Sequence, residues 1–153
     1  HTEDFALAAQ RYEGAIAIAE NGSVDSRFID DASVAAAYSF KTLGNIVRSR
    51  AILEEVQKRL DKDIARSTRP GPYLWYRQAV VSAIGGDESS ALRHLQRAID
   101  EGWRQHWRPL VEPALDQLRQ NAGFSAMMAG LATRMQVMRE QLALDEAERR
   151  RWE

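Results

Sequence analysis

Histidines are the first residues to consider for metal binding or proton transfer in this sequence. His94 and His106 are twelve residues apart, so they cannot form the i, i+4 pair that binds zinc on one face of a helix. Cysteine is absent, which excludes thiolate catalysis and zinc sites built on cysteine. We therefore expect no metal site.

Carboxylate pairs are the second candidates for chemistry. Glu54/Glu55 and Asp61/Asp63 belong to a strongly charged stretch, where solvation explains them without any perturbed pKa. The chain also lacks a glycine-rich phosphate loop, a nucleophile elbow and a base paired with a nucleophile. We therefore expect a non-catalytic protein that binds no cofactor.

An aromatic cluster follows the middle of the chain and could stack on bases or on a ligand. It consists of Trp103, His106 and Trp107, interleaved with Arg104 and Arg108. The favoured interpretation is structural, with Trp103 packed under the next helix and Trp107 partly exposed. Because 21 basic residues are balanced by 22 acidic ones, we expect no nucleic acid partner.

Length and composition predict one globular domain. The chain has 153 residues, of which 44% are hydrophobic and 28% charged. No run of about 18 apolar residues occurs, so we expect no membrane contact. The absence of cysteine suits any redox compartment and leaves the localisation open. The first residue is His1 rather than methionine, which suggests a fragment of a larger protein.

Apolar residues recur at three- and four-residue spacing along the whole chain, which predicts an all-α fold. Asn21-Gly22 is the predicted end of the first helix, and Asp30 or Asp31 the predicted N-cap of the second. The predicted helices span 3–20, 31–43, 46–66, 73–85, 87–102, 111–120 and 123 into the 140s.

The stretch 74–100 has the pattern of a helical hairpin with small residues at fixed positions. A large aromatic residue is followed by an alanine, a glycine turn, and a second helix with two more alanines. The series is Trp75, Ala79, Gly86, Ala91, Leu95 and Ala98.

This series resembles the tetratricopeptide repeat, a helix–turn–helix unit of about 34 residues. Gln78, Ser82 and Trp103 depart from the family pattern. The resemblance implies an α-α superhelix of antiparallel helix pairs that acts as a protein-binding scaffold. Its parts would be the second helix of a truncated unit (1–22), a divergent pair (31–66), the best-matching unit (73–102) and an atypical capping pair (109–145).

The C-terminal part resembles the repeat-array ends of bacterial regulators, including winged-helix regulators of the ToxR/CadC type. The matching residues are Gly102-Trp103, Glu112-Pro113, Leu115, Leu118-Arg119 and Phe124. This resemblance implies the sensory or interaction domain of a protein for signal transduction or transcription regulation, in the cytoplasm or the periplasm.

The repeat also implies where a partner would bind. If Trp75 and Ser82 face the second helix of their own unit, the opposite side of the first helix lines a concave groove. Tyrosine and arginine, which are enriched at binding hot spots, occur on that side. The predicted groove residues are Tyr73, Tyr76, Arg77, Val80 and Ile84, with Tyr38 and Lys41 on the preceding pair.

Two alternatives remain open at this stage. The first is a small-molecule sensor or accessory enzyme domain with an enclosed pocket lined by Trp75, Trp103 and Trp107. The second is a homodimer formed through a heptad seam in the last helix, although the same seam could instead cover the open end of the array. The seam residues are Met128, Leu131, Met135, Met138 and Leu142.

Overall fold

The computed structural model describes the backbone of residues 2–20 and 26–151, and the side chains of residues 4–18 and 29–151. These residues form helices and turns and contain no strand, which confirms the all-α class. The elements are α1 (Thr2–Glu20), α2 (Ser26–Thr42), α3 (Ile46–Arg66), α4 (Pro72–Gly85), α5 (Glu88–Asp100), α6 (Arg108–Val111), a 3-10 helix (Pro113–Gln120) and α7 (Ala122–Arg149).

The predicted start of the second helix is wrong. Helix α2 begins at Ser26, so Asp30 and Asp31 lie inside it and do not cap it. Asp30 is buried and accepts a hydrogen bond from Arg59 Nε of α3 at 2.8 Å. This carboxylate can lie inside a helix because an arginine from another element neutralises it. The predicted helix end at Asn21-Gly22 lies outside the described residues.

The predicted helix 111–120 is in fact two elements. Proline at 113 has no N–H to donate to the carbonyl four residues back, and it forces the preceding residue out of helical geometry. Glu112 is accordingly extended, with ψ 112°, and separates α6 from the 3-10 helix. Leu115 and Leu118 of the 3-10 helix are fully buried, so this short element contributes to the core.

Helix α4 is the central element of the fold. It contacts α2, α3, α5 and the 3-10 helix, and residues from Tyr76 to Val81 are all buried. The Tyr76 ring stacks on Trp103, with centroids 4.3 Å apart and planes inclined by 7°. Trp103 is buried, as expected, but the ring on which it stacks belongs to the preceding helix α4 rather than to the next helix. This contact fixes the chain after α5 against α4.

Local signals determine the turn between α4 and α5. Gly86 has φ 88°, a left-handed conformation that glycine adopts without a steric penalty. The N–H of Asp87 donates to the Ser82 carbonyl at 2.9 Å, and the Asp87 side chain accepts from the Ser90 N–H at 2.9 Å. This turn makes α4 and α5 an antiparallel pair with extensive contact.

Alanines fill the contact between these two helices. Ala79, Ala91 and Ala98 are fully buried and belong to the same core cluster. A larger side chain at these positions would push the two helices apart, since protein cores are close-packed. The small residues of the repeat pattern are therefore explained by packing alone.

We predict that Ala91→Leu lowers the free energy of unfolding by about 1–3 kcal/mol, because a close-packed site has no room for three more carbons. Ala65→Leu, at an exposed position of α3, is the matched control and is expected to change it by less than about 0.5 kcal/mol. Urea unfolding followed by circular dichroism measures both values. Equal values for the two variants would contradict close packing at Ala91.

Candidate binding groove

Helix α4 presents two different faces, as the repeat pattern predicts. On one face Trp75 and Ser82 contact α5, where the Trp75 ring lies 6.2 Å from that of His94 and Ser82 Oγ lies 3.3 Å from His94 Nδ1. On the opposite face Tyr73 and Arg77 contact Asp31 of α2. The predicted groove residues thus lie on the side of α4 that faces away from α5.

A cavity of about 520 Å³ lies on that side, between α1, α2, α4 and the segment from α6 to the 3-10 helix. We call it the groove. Four of the predicted site residues line it, namely Tyr38, Tyr76, Arg77 and Val80. The other three, Tyr73, Ile84 and Lys41, do not belong to its lining.

The remaining predicted residues have defined contacts nearby. The Tyr73 hydroxyl donates to both carboxylate oxygens of Asp31 at 3.0 Å. Lys41 Nζ donates to the carbonyl oxygen of Ile84 at 2.5 Å, which links α2 to the end of α4. Lys41, Ile84 and Tyr38 also line a smaller cavity of about 260 Å³ beside the 3-10 helix.

Burial revises the role expected for the α4 residues. Tyr76 is 1% exposed, Arg77 2%, and Val80 and Ile84 3% each. All four side chains are buried in the fold, and Tyr76, Arg77 and Val80 form the floor of the groove, so they cannot be exposed anchors. Their burial follows from the position of α4, which other elements cover on all sides.

Accessible lining residues come from elements that the repeat pattern did not indicate. Phe5 and Tyr12 of α1 form one wall, and the Phe5 ring packs edge-on against Tyr38 at 6.3 Å. Arg108 and Glu112 lie on the opposite wall. The sequence did not indicate these four residues as groove residues, because the two walls form only when α1 and α6 fold back over α2 and α4.

Helix α1 buries fewer of its side chains in the fold than the opposite wall of the groove does. Ala9 is the one buried side chain among its residues 4–18. Its remaining contacts are partly exposed, such as the ion pair between Glu13 and Arg48 at 2.6 Å. The groove therefore combines a buried floor with a shallowly packed α1 wall.

A cluster of charged groups lies at the floor of the groove, and Arg77 is its buried member. The Arg77 guanidinium contacts the Asp31 carboxylate through Nη2, while its Nη1 has no hydrogen-bond partner among the described residues. Arg108 Nη2 lies 4.0 Å from the same carboxylate, and its guanidinium lies 5.4 Å from the Tyr76 ring centroid. Two arginines thus converge on one half-exposed aspartate.

Burial dominates the electrostatics of this cluster. Desolvation lowers the pKa of Arg77 to about 10, and the nearby carboxylate of Asp30 opposes that shift. Burial likewise raises the pKa of Tyr76, so its hydroxyl stays neutral at physiological pH. Asp31 is the group that makes a buried guanidinium tolerable at this position.

The tryptophans do not form one enclosed pocket, contrary to the alternative interpretation. Trp103 is buried on Tyr76, and the Trp75 ring lies under the Arg97 guanidinium at 4.9 Å. Trp107 is 56% exposed, in line with the expectation that it is partly exposed. Trp103 is therefore not available to the stacking surface considered for Trp103, His106 and Trp107.

A serine–histidine contact is the feature closest to catalytic chemistry, and the sequence did not reveal it. Ser82 and His94 are brought together by the α4–α5 turn, and the imidazole also contacts the Gln78 carbonyl. Burial lowers the pKa of His94, which favours a neutral ring between the helices. The pair hydrogen-bonds two packed helices to each other.

The carboxylates noted in the sequence have ordinary surroundings. Lys58 lies 2.7 Å from Glu55, and its hydrogen bond and charge lower the pKa of that carboxyl group. Asp61 accepts hydrogen bonds from Gln57 at 2.7 Å and from Gln78 at 3.2 Å. Among the side chains of residues 4–18 and 29–151, no three acidic or histidine groups cluster as a metal site requires.

The heptad seam of α7 is divided between two environments. Met128 and Leu131 are buried on the rest of the fold, and Met135 is half-buried. Met138 and Leu142 are 49% and 54% exposed. The first half of the seam therefore packs on the fold, where α7 contacts α5 and the 3-10 helix, whereas the second half does not.

Comparisons with known proteins give no relative for this chain: no family model, no curated protein and no solved structure matches it. In the described part of the chain, none of the helices has the length and apolarity needed to cross a membrane.

We predict that Asp31→Asn lowers the free energy of unfolding by about 2 kcal/mol, because Arg77 keeps a buried charge without its counter-charge. In a double-mutant cycle with Arg77→Met, the two changes should be non-additive. Asp116→Asn breaks a more exposed pair with Arg119 and serves as the control, with an expected change below about 1 kcal/mol. An Asp31→Asn effect no larger than this control would contradict the role of Asp31.

We predict that acid weakens the fold through His94. Because the pKa of His94 is lower in the folded chain than its ordinary 6.5, the unfolded chain binds more protons as the pH falls below that value. The free energy of unfolding should therefore decrease on going from pH 7.5 to pH 5, and His94→Gln should remove part of this decrease. Urea titrations at several pH values measure both. An identical pH dependence in the variant would contradict the prediction.

Proposed function

We propose that this chain is a non-catalytic scaffold that binds a segment of a protein partner in the groove. The groove itself is the observation that carries the proposal, since its walls combine aromatic residues with an arginine and other polar groups, which is the composition of a protein-recognition surface. Its floor is rigid because Tyr76, Arg77 and Val80 are locked in the core.

The arrangement of helices supports a tetratricopeptide-like superhelix within this proposal. Helices α2 and α4 and the 3-10 helix contact one another in succession, as the first helices of consecutive units would. Helices α3 and α5 pack behind them, and the 3-10 helix with α7 takes the place of the capping pair. The groove then lies on the concave side, where such arrays bind their partners.

The chemistry of the walls defines the kind of segment that would fit. Phe5, Tyr12 and Tyr38 offer ring surfaces for apolar or aromatic side chains. Arg108 and Glu112 offer one cationic and one anionic group for polar atoms of the partner backbone or side chains. We expect recognition of a short segment that mixes apolar and polar residues, with Tyr38 and Arg108 as its accessible anchors.

Within a larger protein, this module would be the sensory or interaction domain of a bacterial regulator. The basis for this part of the proposal is the resemblance of the sequence from Gly102-Trp103 to Phe124 to the array ends of such regulators.

Selection from a displayed library of random twelve-residue peptides tests the proposed groove. We expect selected peptides to bind with micromolar affinity and to lose at least about tenfold, or about 1.4 kcal/mol, in Tyr38→Ala and in Arg108→Ala. Ala35→Trp should also abolish binding, because Ala35 lines the groove and an indole would fill it.

Arg93→Ala is the control, since Arg93 is exposed on α5, outside the groove lining. Selected peptides that bind all four variants equally well, or a library that yields no binder, would contradict the proposed groove.

A small-molecule ligand is the second candidate, and the volume of the groove favours it, because pockets for small molecules span about 300–1,000 Å³. A metabolite that raises the melting temperature of the wild type and not of Ala35→Trp would establish this function instead, because a ligand of the folded state stabilises it.

A further inference from the structure

The second half of α7 is an arm without tertiary support. Every residue from 136 to 151 is exposed. The arm is held by intrahelical pairs such as Gln136 Nε2 to Glu140 Oε1 at 2.7 Å and Gln141 Nε2 to Asp145 Oδ1 at 2.9 Å. A helix of about this length is marginally stable in water without packing. An exposed apolar stripe on such a helix indicates that the helix packs against a partner.

A cavity lies where the arm leaves the fold. It has a volume of about 390 Å³. Its apolar lining comes from Ile99 of α5 and from Leu131, Met135 and Met138 of α7, and the charged residues Asp100, Arg104 and Arg134 also belong to the lining. The seam that packs against the rest of the fold through Met128 and Leu131 continues, without interruption, into Met135, Met138 and Leu142. The exposed stripe is therefore an extension of an internal helix interface.

We propose that the occupant of this surface is a second copy of the chain, with the two α7 arms paired antiparallel around a two-fold axis between Met135 and Met138. In this register Met138 faces the partner's Met135, and Leu142 enters the partner's cavity beside Leu131. Each copy supplies both the projecting side chains and the cavity that receives them, which is what a closed two-fold interface requires.

The charges beside the seam agree with the antiparallel register. Arg134 lies opposite Gln141 of the other copy, and Arg139 lies opposite the small side chain of Ala132, so no like charges meet at these flanking positions. In this register Asp145 lies level with Met128 of the other copy, so the two Asp145 carboxylates do not meet.

A parallel pair is electrostatically worse. It would place Arg134 against Arg139 of the other copy, and it would place two Asp145 carboxylates in one layer of the seam. The same residues therefore favour the antiparallel arrangement over its parallel counterpart.

Mass measurement by light scattering over a concentration series tests the pairing. Because the contact involves only about two turns on each side of the axis, we expect a dissociation constant on the order of 10 µM. The apparent mass of the 17.3 kDa chain should then rise toward twice that value with concentration.

The double variant Met138→Glu/Leu142→Glu should stay monomeric at every concentration. Leu144→Glu is the matched control, since Leu144 is 61% exposed and lies on the same arm outside the seam. It should dimerise as the wild type does. A monomeric wild type, or a dimer that survives the double variant, would overturn the proposal.

Disulfide trapping tests the register, since the chain has no cysteine of its own. A mixture of Met135→Cys and Met138→Cys proteins should give a cross-linked heterodimer under mild oxidation. Leu142→Cys alone should not cross-link, because the axis separates its two copies by roughly 16 Å along the helices. Efficient cross-linking of Leu142→Cys to itself would overturn the antiparallel register.

Discussion

Burial of α4 on all sides is the constraint on which the other elements depend. A helix so placed needs partners with small contact residues, and Ala79, Ala91 and Ala98 let α5 approach it closely. The stacking of Tyr76 on Trp103 then fixes the chain as it leaves α5. The positions of α6, the 3-10 helix and the groove all follow from this central contact.

The same burial explains why the groove has a charged floor. Arg77 lies on the central helix and is only 2% exposed, so carboxylates from other elements must compensate its charge. Asp31 provides the direct contact, and Asp30 adds a favourable field while it is itself paired with Arg59. The floor of the groove depends on charges from α2, α3 and α4. It keeps its geometry only as long as these helices keep their relative positions.

Local sequence signals predicted those features that depend on neighbouring residues in the chain. Gly86 defines the α4–α5 turn through its backbone conformation and Asp87 through its side chain. Asp30 looked like a helix cap because its neutralising partner, Arg59, is 29 positions away. The walls from Phe5 and Arg108 depend on tertiary folding in the same way, so the floor of the groove was predictable and its walls were not.

The shallow burial of α1 gives the groove walls unequal mechanical properties. Local opening costs least where few side chains are buried, and α1 buries only Ala9 among its described residues. The opposite wall is continuous with Pro109, Leu115 and Leu118, which are part of the core. Outward movement of α1 would therefore widen the groove while the buried residues around α4 keep their packing.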